Sequence, residues 1–363
     1  MTTFFRNPFL QNEMLPVDIV LAPAWWHRHE GISFDEDFFF HPARRVEDER
    51  KIEQALFDRW GRYGLGADHS RSLPVVGAVH LAAGFQVSEM LGCEVEYIEN
   101  SPPVVKPANR DTLDIAPEEA FRTPAYRRLE TLIDALKARH GGLVGDVNWS
   151  GILNLALDLR GQSFFVDLVD RTDEVAGFLG GIAEVIDRFT RELADASGTT
   201  SISVNRNVRN ISRPVFLHSE CSHVMISVDD YDKYLAGFDA AWSRRYRPFG
   251  IHYCGQDPHR YAEAFARLPH LDFLDVGWGG DVAAIRSHLP ETFLNIRLSP
   301  VEIIHQSPDE IRATVRQLVR ASANPYLTGV CCINMDDQVG DDKITAMFEE
   351  VESLRAEYSR EGG

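Results

Sequence analysis

The sequence has no apolar run near the ~18 residues that a membrane-spanning helix needs, which excludes a helical membrane protein. It is short of basic residues: 37 Lys and Arg against 55 Asp and Glu leave a net charge of -18. Such a field repels nucleic acid and anionic lipid, so neither is an expected partner. The opening Met1-Thr2-Thr3-Phe4-Phe5-Arg6 lacks the charged-then-apolar order of a secretory signal, and the expected compartment is the cytoplasm. Five cysteines (Cys93, Cys221, Cys254, Cys331, Cys332) are too few and too unevenly spaced for a disulfide framework in 363 residues. Reduced thiols, available to a metal, are expected instead. Internal repeats, low-complexity tracts and linkers are missing too, so residues 1–363 are expected to form a single domain.

What the sequence does have is a series of short apolar runs, each followed by a turn and usually by a segment of helical spacing. They are VDIVLAP from Val17, PVVGAVHL from Pro74, GLVGDVNWSG from Gly142, RPVFLHSE from Arg213, FGIHYCG from Phe249, LDFLDVGW from Leu271, TFLNIRLS from Thr292 and YLTGVCCIN from Tyr326. Between them, RVEDERKIEQALFDRWGRYG, TPAYRRLETLIDALKARHG, SFFVDLVDRTDEVAGFLGGIAEVIDRFTRELADA, DPHRYAEAFARL, DVAAIRSHL and SPDEIRATVRQLVRA repeat apolar residues at helical intervals. Ser307-Pro308-Asp309-Glu310 supplies the proline and acids of a first helical turn. Strands alternating with helices imply a parallel sheet, and eight of them an α/β fold of the (β/α)₈ TIM-barrel type, with a doubly wound open sheet as the alternative. The proline-rich stretch Glu94–Asp114 reads as a hairpin or excursion inserted into the barrel. The residues before Val17 form an N-terminal extension that, with the aromatic cluster Phe34–Phe40, caps it.

One strand ends in His252-Tyr253-Cys254-Gly255. Residues i and i+2 of a strand share a face, so His252 and Cys254 aim at one place while Tyr253 points away. Cys331 and Cys332 sit at the end of the last strand, and catalytic groups of a barrel gather where strands end. Two ligands from one strand and one from another give Zn²⁺ three protein ligands and leave a fourth position open, the pattern of a catalytic zinc. The competing reading is plain core packing, because free cysteine is among the most buried residue types. Cys93 and Cys221 are read as core or loop thiols.

The chain resembles the uroporphyrinogen decarboxylase superfamily, and within it the zinc-dependent corrinoid:thiol methyltransferases similar to methylcobalamin:coenzyme M methyltransferase. The resemblance runs from about Gly142 to Tyr358 and rests on His252-Tyr253-Cys254-Gly255 with the distant Cys331. The stretch HVMISVDDYDKYLAGF from His223 matches the family's Ile-Ser-Pro-x-x-Tyr, with Val228 in place of proline. Asn295 matches the asparagine of the Gly-Asn-x-x-Pro turn, here lengthened by Arg297-Leu298. After Cys331 the family's Asp-Ile-Pro is replaced by Cys332-Ile333-Asn334. The Arg-Gln-Ala-Gly-Arg run of the decarboxylase itself is absent; Ala24-Trp25-Trp26-His27-Arg28-His29-Glu30-Gly31 follows the first strand instead.

The resemblance implies that Zn²⁺ is held by His252, Cys254 and Cys331, with Cys332 a non-ligand. It implies methyl transfer from a corrinoid, free methylcobalamin or a separate corrinoid protein, to a small thiol held as a thiolate. The cobalamin signature Asp-x-His-x-x-Gly is approached only by Asp257-Pro258-His259-Arg260-Tyr261-Ala262, which reads as a helix start, so the corrinoid comes from outside the chain. Glu220 and Asp281 are the candidate catalytic carboxylates, ahead of Asp146 and Asp275. Trp26, Asn148, His218 and Asn295 are the candidate substrate-binding residues. Alternatives are a methylcorrinoid:tetrahydrofolate methyltransferase with a pterin acceptor, an epoxide-opening thiol transferase, a uroporphyrinogen-decarboxylase-like lyase, and a non-catalytic barrel whose zinc is closed by Cys332.

Overall fold

The computed structural model describes residues 4–67, 73–77, 84–146, 150–197, 213 and 215–362. The strands are β1 (Val17–Leu21), β2 (Val75–Gly77), β3 (Glu94–Glu96), β4 (Val104–Lys106), β5 (Val144–Asp146), β6 (Phe216–Glu220), β7 (Phe249–Tyr253), β8 (Phe273–Val276), β9 (Phe293–Arg297) and β10 (Thr328–Met335). All eight expected apolar runs contain a strand. The two further strands, β3 and β4, make an antiparallel hairpin inside the proline-rich excursion.

Six strands form one parallel sheet in the order β1-β10-β9-β8-β7-β6, and β2 pairs in parallel with β5. In a closed (β/α)₈ barrel the β2–β5 pair takes the place between β1 and β6. The chain therefore has the curled parallel sheet of a TIM-barrel fold. β1, β6, β7 and β9 are buried at every position. That follows from parallel strands covered by helices on one side and by a filled barrel on the other.

Helices supply the outer layer. Pro308–Ser322 opens with a capping box, in which Ser307 Oγ accepts from Glu310 N and the Glu310 carboxylate accepts from Ser307 N, and buries Ile311, Val315 and Val319 at four-residue intervals. The long segment from Ser163 breaks into Phe164–Asp170 and Thr172–Ser197. Residues 257–268 hold only a 3₁₀ turn and the short helix Ala262–Ala266. No helix of the described residues is long and apolar enough to cross a membrane.

In the aromatic cluster Phe34, Phe38 and Phe39 are buried, with Phe39 edge-on to Phe85 at 5.2 Å. The N-terminal extension is tied down as Asn7 Nδ2 donates to Asp272 Oδ1 (3.3 Å) and Arg355 donates to the Met14 and Leu15 carbonyls (3.0 and 2.9 Å). Along β10, Val330 and Cys332 pack into the core with the outer helices, whereas Cys331 and Ile333 join Val20 in a separate small cluster. Adjacent cysteines thus face opposite sides of the sheet, as strand geometry requires.

Candidate metal centre at the strand ends

β6 and β7 run in register, Ser219 beside His252 and Glu220 beside Tyr253. Continuing that register brings Cys221 beside Cys254 as the two chains leave the sheet. The ligand atoms of Cys221, His252 and Cys254 lie within 4.8 Å of one another. A tetrahedral zinc, with bonds of about 2.3 Å to sulfur and about 2.0 Å to nitrogen, separates its ligand atoms by about 3.5–3.8 Å. The donor set and spacing fit such an ion with small side-chain adjustments.

The next strands back this group. His252 stands beside Asp275 of β8, and Asp275 beside Asn295 of β9. His252 Nδ1 lies 2.5 Å from Asp275 Oδ2 and 3.1 Å from Arg297 Nη2; a carboxylate only accepts, so Nδ1–H donating to Asp275 would leave Nε2 for a metal. Asn295 Nδ2 donates to Asp275 Oδ1 at 3.2 Å, and Cys331 Sγ lies 3.9 Å from that oxygen. Arg297 packs alongside, with Nη2 3.2 Å from Asp275 Oδ2 and Nη1 3.3 Å from Cys254 Sγ. Asp275 is therefore the hub of a buried polar layer inside the barrel.

The thiols are poised unequally. The hydrogen bond from Cys221, then those from His252 and the charge of Arg297, bring Cys254 down to about 2 despite its burial. The same Cys221–Cys254 bond, with burial, raises Cys221 well above its ordinary value, although Cys221 as a residue is exposed. A divalent cation bound there would take both sulfurs as thiolates. Burial pushes Cys332 up to about 12, and its sulfur lies 3.8 Å from the Leu298 carbonyl, a core position. Cys93, also raised to about 12 by burial, donates to the Asp158 carbonyl.

Of the residues singled out in the sequence, His252, Cys254, Asn295 and Cys331 share this layer. Cys331 touches Asp275 but is not in the three-residue group. Glu220 and His218 lie on the opposite face of β6. Glu220 accepts from Leu153 N (2.7 Å) and Ser222 N (3.0 Å). His218 accepts from Ile152 N (3.3 Å) and bonds Asp239 (2.7 Å), so both anchor the start of helix Ile152–Arg160 to the sheet. Asp281 is exposed and caps helix Val282–His288 by accepting from Ala284 N at 2.9 Å. Trp26 is fully buried against Trp25. Asn148 lies outside the described residues, as does the side chain of Asp146. Sequence reasoning passed over Cys221 and Arg297 and ranked Asp275 too low. Strand parity was the available signal for Arg297, two residues beyond Asn295 on the same face of β9, whereas Asp275 comes beside Asn295 through the register of β8 with β9.

No curated protein matches the sequence. Among solved structures, a methyltransferase from Methanosarcina mazei superposes with a TM-score of 0.67 and 14% identity, covering 94% of this chain and 95% of that one. A B12-independent methionine synthase from Shewanella sp. W3-18-1, in complex with selenomethionine, superposes with a TM-score of 0.53 and 11% identity over 96% of this chain and 100% of that one. At such identities the likeness establishes the fold. The sequence itself goes further: residues 77–354 match the uroporphyrinogen decarboxylase (URO-D) profile, and the chain belongs to the URO-D family of enzymes.

Proposed function

We propose that this protein is a zinc-dependent methyltransferase that moves a methyl group from a corrinoid to a small thiol. The observation that carries the reading is the Cys221, His252 and Cys254 group, with Asp275 holding the histidine from behind. The fold likeness to a methyltransferase and to a methionine synthase supports it.

Zinc bound there would keep an acceptor thiol deprotonated at neutral pH, and the thiolate is the competent nucleophile. The chain's own groups do the rest. Asp275, accepting from His252 Nδ1, would leave the Nε2 lone pair for the metal. Asn295 and Arg297 hold Asp275 in turn. The thiolate attacks the methyl carbon of the methylcorrinoid substrate; a carbon–sulfur bond forms, the carbon–cobalt bond breaks, and its electron pair stays on cobalt, which goes from Co(III) to Co(I). The corrinoid is delivered free or on a separate protein, and the reduced thiols suit a cytoplasmic setting.

Protein purified without chelator is expected to carry about one zinc per chain, and to convert methylcobalamin to the Co(I) form when supplied with a thiol. Folded protein without zinc overturns the reading. His252→Ala and Cys254→Ala are expected to lose metal and activity with circular dichroism unchanged. The third ligand is decided by comparing two variants. The geometry assigns Cys221 and the family resemblance assigns Cys331, so whichever of Cys221→Ser and Cys331→Ser drops zinc content to the level of Cys254→Ala identifies it. Cys332→Ser is expected to keep the metal.

A further inference from the structure

Arg297, the last residue of β9, is 3% exposed yet sits against the metal centre. A guanidinium is charged at any working pH, so a full positive charge sits beside Asp275 and Cys254. Its two terminal nitrogens reach different partners, and Nη2 also lies 3.1 Å from His252 Nδ1. Nη1 donates to Cys254 Sγ at 3.3 Å and Nη2 to Asp275 Oδ2 at 3.2 Å. One side chain therefore binds a candidate ligand sulfur and, separately, the carboxylate that orients the candidate ligand imidazole. Its Nε–H is buried with no hydrogen-bond partner among the described residues.

Counting charges shows what this cation changes. A divalent metal with two cysteinates and a neutral imidazole is neutral. Asp275 alone would make the cluster -1, and an incoming thiolate would bring it to -2. Arg297 cancels Asp275, so the thiolate meets a neutral cluster. One unit charge about 5 Å away, at an effective dielectric of about 20, alters affinity for an anion on the order of 100-fold. The hydrogen bond to Cys254 has a second effect: it draws electron density from that sulfur, which favours a ligand over a competing nucleophile.

Resting on the metal-centre reading above, we propose that Arg297 is a positioning residue that lets the acceptor bind as an anion and marks Cys254 as ligand rather than methyl acceptor. It acts through Cys254 and Asp275 without touching the reacting atoms.

Cobalt(II)-substituted protein reports both effects without turnover. In Arg297→Met the sulfur-to-cobalt charge-transfer band is expected to move to longer wavelength, because a sulfur freed of its hydrogen bond is easier to oxidise. The dissociation constant for 2-mercaptoethanol, read from the added band intensity, is expected to rise at least ~10-fold. Arg297→Lys keeps the charge but cannot bridge Cys254 and Asp275 together, so its thiol affinity stays nearer the parent while its band still shifts. Unchanged bands and affinities in both variants overturn the proposal. Should Arg297→Met fail to fold, an unshifted band in Arg297→Lys does so alone. A parent protein that takes up neither zinc nor cobalt overturns the metal reading and this proposal with it, which separates the two failures.

Discussion

Asp158, on helix Ile152–Arg160, accepts a 2.7 Å hydrogen bond from Ser88 Oγ, and burial raises its carboxyl from 3.8 to about 6. Between those values the folded state binds the proton that the unfolded chain has released. Stability therefore falls as pH rises from about 4 to about 6 and changes no further on this account above it. Asp158→Asn removes the dependence while keeping an acceptor for Ser88. The variant is expected to gain about 1–2 kcal/mol over the parent at pH 8, after allowing for partial solvent exposure, and nothing at pH 4, as read from urea midpoints. An equal difference at both pH values would show that the carboxyl is not the cause. At this scale the candidate site was half legible. His252 and Cys254 could be read because two-residue parity within one strand fixes their shared direction. Cys221 could not, because its place beside Cys254 comes from the register between β6 and β7, which no single strand encodes. Glu220 and His218 stand apart from the group for the complementary reason: a polar residue at a strand end has two faces to choose from, and theirs is the one that holds a helix.

Elements were the most legible level, since apolar runs and capping residues act locally. Ser307 and Glu310 announce a helix that the structure contains, and all eight apolar runs hold strands. The exception, DPHRYAEAFARL, opens as a 3₁₀ turn and keeps only a five-residue helix, with Tyr261 drawn inward, its hydroxyl donating to the His223 and Ile226 carbonyls at 2.7 and 2.9 Å. Such long-range pulls leave no mark on helical periodicity. Between elements, the chain leaving β8 runs close against the chain leaving β7 near the candidate centre. A Cβ on Gly277 would come 1.8 Å from the Gly255 carbonyl oxygen, one residue past Cys254. Backbone cannot yield as a flexible side chain does. Gly277→Ala is expected to cost at least about 1–3 kcal/mol and to reduce zinc content by moving Cys254, measured by thermal unfolding and metal analysis together. A variant as stable as the parent and fully loaded with zinc would show that the two loops move freely.

At the scale of the whole molecule, the sheet joins the ends of the chain. β1 pairs with β10 from Val17 beside Val330 to Leu21 beside Met335, and Arg355 in the C-terminal helix donates to the carbonyls of Met14 and Leu15 just before β1. Neither β1 nor β10 can leave without opening a parallel ladder of the six-stranded sheet. We infer that residues 1–363 fold as one cooperative domain. In urea, near-ultraviolet and far-ultraviolet circular dichroism are expected to follow one coincident transition, and a truncated chain beginning after Leu21 is expected not to fold. The candidate centre draws its groups from β6, β7, β8 and β9, so metal binding should stabilise this same unit. At a thousandfold excess over its dissociation constant, a ligand of the folded state adds about 4 kcal/mol. Removing metal with chelator is therefore expected to shift the single transition to lower urea without splitting it. Two separated transitions, only one of them sensitive to chelator, would show that the candidate centre lies in a unit that unfolds apart from the rest.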